Sequence, residues 1–282
     1  MTRSCRPSEK QAPPVRGTNR GCAPKLPTTA IDFTGQQTQS KGWNGDNVIT
    51  SAAHNLDLEA LCARLGRFGP LEKQPCYTYV VETLRLDEDG NVKQTASAPN
   101  FCGGFITLLT CKHSTRTVLS PSQWRDGVWV AGMTGSGAKF GHRQSLAFLM
   151  RVGEAYASQF DLAQALRASG RSTTLDAKNA SRHVNGDVLI PRHEQLTHTQ
   201  RVSPDFYHPP ILPHAHRTSH DDTYWHKDVD YVARGGSRPA YLVGDPANSF
   251  TWSRQMIFNA RPGNLRPHRA WPLGQLVDYL KA

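Results

Sequence analysis

The chain contains no uninterrupted apolar run approaching the roughly 18–20 residues that a membrane-spanning helix needs, and no apolar stretch follows its charged N-terminal residues. A helical membrane span is thereby excluded, and a secretory signal is not expected. There is no Cys-x-x-Cys pair and no tight Cys/His cluster among the six cysteines, Cys5, Cys22, Cys62, Cys76, Cys102 and Cys111. No cysteine-based zinc motif and no dithiol redox motif is therefore recognisable, and reduced thiols in a cytoplasmic setting are expected. The His-Glu-x-x-His signature is missing too: after His193 and Glu194 the second histidine position is Thr197, with His198 one residue late. A glycine-rich loop is present, but Ala138 precedes Lys139 where a phosphate-binding P-loop needs lysine directly after its last glycine. Asp126, Glu154, Asp187, Asp205, Asp228 and Asp245 are scattered, with no obvious acid/base pair among them.

What remains is a basic chain of 282 residues, long enough for one or two domains. Hydrophobic residues make up only 38%, beside 23 glycines and 19 prolines, so irregular segments should accompany the compact part. The net charge of +10 favours an anionic partner, a nucleotide or nucleic acid. Half of that excess lies between Met1 and Lys41, where seven basic residues face two acidic ones.

Residues 1–46 are rich in Pro, Gly, Ser, Thr and Gln without apolar periodicity, and read as a basic disordered arm. Residues 47–75 hold a lead-in helix, with Asn55 as its expected cap and Leu56, Leu58, Leu61 and Leu65 on one face. Residues 76–282 form the core. Strands are expected over 77–86, 105–110, 128–131 and 146–152, with a hairpin turn at Asp89 and Gly90. A helix is expected over 154–166, late strands over 229–232, 240–244 and 253–259, and a closing amphipathic helix over 273–280. An insertion of about 170–228 carries eight histidines and several prolines. It is expected to lie over the mouth of a barrel.

Three features carry chemistry. Cys111 leaves a strand beside Lys112 and His113, a place where a neighbouring cation lowers a thiol pKa and activates a nucleophile. The segment Gly132-Met133-Thr134-Gly135-Ser136-Gly137 lets backbone amides approach a ligand, with Thr134 and Ser136 as added donors. His214, His216 and His220, near Asp221 and Asp222, have a spacing that suits a divalent metal. No cofactor is otherwise expected. Aromatic residues lie among cations in several places (Trp124 and Trp129 beside Arg125; Trp252 beside Arg254), as base stacking with phosphate contact requires.

The run Tyr77-Thr78-Tyr79-Val80-Val81, the triplet Ala98-Pro99-Asn100, the strand end Leu109-Thr110-Cys111-Lys112 with Arg116, and Gly127-x-Trp129-Val130-Ala131-Gly132 leading into Thr134-Gly135-Ser136 together resemble a known family. It is the second of the nucleotide-modification-associated domain families, DNA base-modification proteins of bacteria and phages. The resemblance covers roughly residues 76–265 and is densest over 77–154. The chain departs from the pattern in having Val128 where the family carries an acid, with Asp126 just before the glycine, and Phe101 where proline follows asparagine. The strand arrangement also resembles the PUA-like barrels, which include readers of modified bases.

The resemblance implies a base or nucleotide held in one pocket. Asn100 would read the base edge, and Thr110, Cys111 and Lys112 would line the pocket. Lys112 and Arg116 would take phosphate, and Gly132, Thr134, Gly135 and Ser136 would close on the ligand. Cys111 and Lys112 are the catalytic candidates. The expected fold is α+β: a mostly antiparallel bent sheet or small PUA-like β-barrel with flanking helices. The expected function is nucleotide or DNA base modification. The alternative is a non-catalytic reader of modified DNA or RNA using the same pocket.

Overall fold

The computed structural model describes residues 31–32, 54–94, 98–182, 186–210, 223–259 and 268–282. In chain order the strands are β1 (Ile31–Asp32), β2 (Pro75–Val80), β3 (Leu84–Leu86), β4 (Val92–Gln94), β5 (Thr107–Leu108), β6 (Trp129–Met133), β7 (Ser145–Tyr156), β8 (Tyr241–Ile257) and β9 (Trp271–Pro272). The helices are α1 (Leu58–Leu65), α2 (His113–Arg116), α3 (Pro121–Trp124), α4 (Gln159–Ala168), α5 (Ser172–Lys178), α6 (Lys227–Asp230) and α7 (Leu273–Lys281).

The fold is α+β. Its main sheet has six strands in the order β5-β8-β7-β6-β2-β9, and β1, β4 and β3 form a small second sheet. Four neighbouring pairs in the main sheet are antiparallel, while β2 runs parallel to β6. The barrel alternative is corrected: β5 and β9 are edges of an open sheet. Each is only two residues long, and Pro272 in β9 has no N–H for a further neighbour.

The two faces of the sheet are covered differently. On one, Tyr79 and Phe101 both meet the Phe148 ring edge-on, at 5.9 and 5.8 Å between centroids. On the other, Phe68, just after α1, meets Trp129 at 5.2 Å, and the buried leucines of α1 and α7 join the same core. The α1 cap is Asp57, which accepts from the Ala60 N–H at 2.7 Å. Asn55 instead takes the Ser253 and Arg254 amides, pinning the lead-in segment to β8.

Other boundaries also move. Residues 154–156 finish β7, and the helix begins after Ser158, which caps α4 through the Asp161 N–H. The late strand expected over 229–232 is the short helix α6. The strands expected over 240–244 and 253–259 are one 17-residue strand, β8. Residues 245–248 bulge out of it between the Val152–Gly244 and Met150–Ser249 pairs, held by Asp245 Oδ1 on the Ala247 N–H and Asp245 Oδ2 on Asn248. Of the arm, Ile31 and Asp32 pair with β4; the remainder lies outside the described residues.

The described parts of the 170–228 segment are not a loose cover. Leu175 and Val188 pack with Leu109 and Tyr241, and Leu189, Tyr207 and Trp225 form a further apolar cluster with Phe160.

Candidate functional site

The chain leaves β5 through two buried residues, Leu109 and Thr110, and turns at Cys111 and Lys112. Both turn residues have left-handed backbone, φ 57° and 46°. Neither is glycine, so each position costs about 1–2 kcal/mol and must be held by its surroundings. Three contacts hold it. The Cys111 N–H donates to Asp228 Oδ1 at 3.1 Å, Arg116 Nε–H donates to the Cys111 carbonyl at 3.0 Å, and the Arg116 amide caps back onto the Lys112 carbonyl at 3.1 Å.

Asp228 comes from α6 and is almost fully buried. Its Oδ1 also lies 2.8 Å from His113 Nε2. The His113 ring stacks on Tyr231, 4.9 Å between centroids and 18° from parallel. A carboxylate on one imidazole nitrogen fixes the tautomer and orientation of the ring, the arrangement found behind general bases. Tyr241 fastens the same helix from the sheet, donating its hydroxyl to the Asp228 carbonyl at 2.8 Å. Arg116 is fully buried, gives Nη1 to the Ala240 carbonyl at 2.7 Å, and lies 5.3 Å from the Tyr241 ring centre. Burial lowers its pKa, opposed by Tyr241, Asp228, Cys111 and Asp187. Lys112 reaches over the Tyr79 ring at 5.2 Å. Tyr79 stands opposite Gly132 in the β2–β6 register, so the turn abuts the end of the only parallel strand pair in the described main sheet.

Asn100 is fully buried beside a second polar cluster. Its Oδ1 accepts from the Cys102 N–H at 2.7 Å, its backbone pairs with Thr107, and its side chain hydrogen-bonds Asp187. Lys178 Nζ donates to the Phe105 carbonyl at 2.9 Å and to Thr107 Oγ1 at 3.0 Å. The Thr107 hydroxyl in turn donates to the Asp187 carboxylate at 2.8 Å. Burial lowers Lys178 to about 8 and raises Asp187 to about 6, each opposed by the other's charge.

The sequence candidates thus divide. Thr110, Cys111, Lys112 and Arg116 share one corner, although Arg116 spends two of its nitrogens on backbone carbonyls. Asn100 is engaged in the buried Asp187 network. Gly132 lies within β6, where an added Cβ would come 2.0 Å from the Phe148 ring; the glycine makes room for that ring. Thr134 Oγ1 accepts from the Ser145 N–H at 2.8 Å and closes the β6–β7 pair. Gly135 and Ser136 are partly exposed in the loop beyond. His214, His216 and His220 lie outside the described residues. Among the described residues no group of three or more His, Cys, Asp or Glu is placed to hold a metal, and no helix is long and apolar enough to cross a membrane. Asp228 was visible in the sequence only as one scattered carboxylate, 117 residues from Cys111, and no local signal marks it. Tyr79 was visible as part of a strand.

No family model matches the chain, and no curated protein or solved structure is detectably similar to it.

Proposed function

We propose that this protein binds a base or nucleotide at the Cys111 corner and modifies it, with Cys111 as nucleophile and Lys112 as the contact to the ligand's phosphate. His113, oriented by Asp228, carries the proton. One observation supports this above the rest: two consecutive non-glycine residues in left-handed backbone, held there by a buried carboxylate and a buried guanidinium. Strain that the fold maintains with two buried charges serves presentation of the thiol better than packing. The net charge of +10 suits a phosphate-bearing ligand. Base chemistry on duplex DNA would require the base to be flipped out, or a single-stranded or free nucleotide substrate.

A second reading is supported by the His113–Tyr231 stack, an aromatic pair beside the Cys111 turn. It is a non-catalytic reader of modified DNA or RNA.

Mass spectrometry of nucleotides and oligonucleotides incubated with the protein separates the two. Under the first reading the ligand changes mass, and Cys111→Ala abolishes the change while retaining binding. A reader leaves the ligand intact and binds it with steep salt dependence. Cys111→Ala and Lys112→Ala both matching wild type in binding and conversion would remove the site from this corner altogether.

A further inference from the structure

Three buried polar atoms around Cys111 have no hydrogen-bond partner in the protein: Tyr79 Oη, Thr110 Oγ1 and Arg116 Nη2. Their side chains are 3%, 0% and 0% exposed. Folded proteins leave few such groups, and each calls for an explanation. The three belong to one neighbourhood. Thr110 immediately precedes Cys111. Arg116 grips the Cys111 carbonyl at 3.0 Å, and Lys112 Nζ sits 5.2 Å above the Tyr79 ring. Burial and then the Cys111 charge push the Tyr79 phenol well up, with Arg116 opposing, so Tyr79 keeps its proton and can donate it.

Arg116 is a donor only, and both hydroxyls can donate; together they ask for an oxygen acceptor. The charge of the site narrows the kind. Arg116 and Asp228 grip the two ends of the same residue, the carbonyl and the amide of Cys111. Asp228 and Asp187 both act on the guanidinium, so it already lies in the field of two carboxylates, and a buried phosphate would add further anion at large desolvation cost. A neutral carbonyl satisfies the donors without that cost. Resting on the function proposed above, we infer that these three donors receive a carbonyl oxygen of the base at Cys111. The site then accepts cytosine, thymine, uracil or guanine and rejects adenine, which has no carbonyl.

The test is calorimetric titration of the full chain with dAMP, dCMP, dTMP, dGMP and inorganic phosphate, for wild type and Tyr79→Phe. At least one carbonyl-bearing nucleotide should bind about tenfold or more tightly than dAMP. Tyr79→Phe should erode that preference about tenfold. Without ligand its melting temperature should not fall, because the ring is kept and the hydroxyl has no partner to lose. Equal binding of all four nucleotides would overturn the inference and leave the proposed function standing. Tyr79→Phe with the preference intact would overturn it in favour of an internal water. Inorganic phosphate binding as tightly as the nucleotides, and weakened by Tyr79→Phe, would overturn it in favour of a phosphate pocket. Failure of every nucleotide to bind would overturn the inference, and the proposed function would then be decided by the oligonucleotide incubations.

Discussion

Lys178 is fully buried, and its ammonium is spent on the Phe105 carbonyl, the Asn100 carbonyl and the Thr107 hydroxyl. Through Thr107 it faces Asp187, equally buried. Removing one member of such a pair leaves the other uncompensated, so Lys178→Met should destabilise by about 3 kcal/mol in urea denaturation. The pH dependence has a definite sign. The folded protein holds Lys178 near 8, below the unfolded value, so the unfolded chain binds more protons and stability rises with pH from about 8 to 10.5. Asp187 is held near 6, above its unfolded value, so its contribution is complete below about pH 4 and is lost as pH rises through 6. Each slope is at most about 1.4 kcal/mol per pH unit. It should disappear in Lys178→Met and Asp187→Asn respectively; curves that superimpose on wild type would show that the groups titrate normally. At Gly132 the limit is steric. Gly132→Ala would drive a methyl into the Phe148 ring, and thermal unfolding should show a loss of about 2–3 kcal/mol.

Among the elements, the turn from β5 into α2 sets stability against function. Lys112→Gly removes a side chain from left-handed backbone, φ 46°. It should leave stability unchanged or raise it by about 1 kcal/mol, while weakening nucleotide binding through the lost cation. A variant that is both less stable and fully competent in binding would contradict the role given to Lys112. What the sequence made legible follows the range of the interactions. The turn at Asp89 and Gly90, the β6 strand and α7 were readable because their signals lie within a few residues. The β8 strand reads as two in the sequence because residues 245–248, with Asp245, Pro246 and Asn248, look like a turn; the bulge that carries the strand across them is decided by β7, about 95 residues upstream. Residues 229–232 read as strand because so short an apolar run has no period, and α6 is fixed by Asp228 meeting Cys111 and His113. Half of the site, Thr110 to Arg116, was readable as a strand end with a cysteine among cations. Its other half, Asp228, Tyr231 and Tyr241, arrives by long-range packing that leaves no local pattern.

For the molecule as a whole, charge and topology matter most. If phosphate contacts dominate, affinity for a single-stranded oligonucleotide should fall with log salt at a slope of about −0.7 per phosphate engaged, and Lys112→Ala should reduce that slope by about one contact. A salt-independent affinity would argue against the backbone contact. The main sheet, meanwhile, joins distant parts of the chain. Pro75 and Cys76 in β2 pair with Pro272 and Trp271 in β9, and the Leu273 amide donates to the Gln74 carbonyl at 2.8 Å. During synthesis, β2 and α1 therefore wait with one flank open through nearly two hundred residues of translation, until 271–281 have left the ribosome. A nascent chain stopped short of residue 271 would present the apolar side of α1 to whatever chaperone or neighbour arrives first.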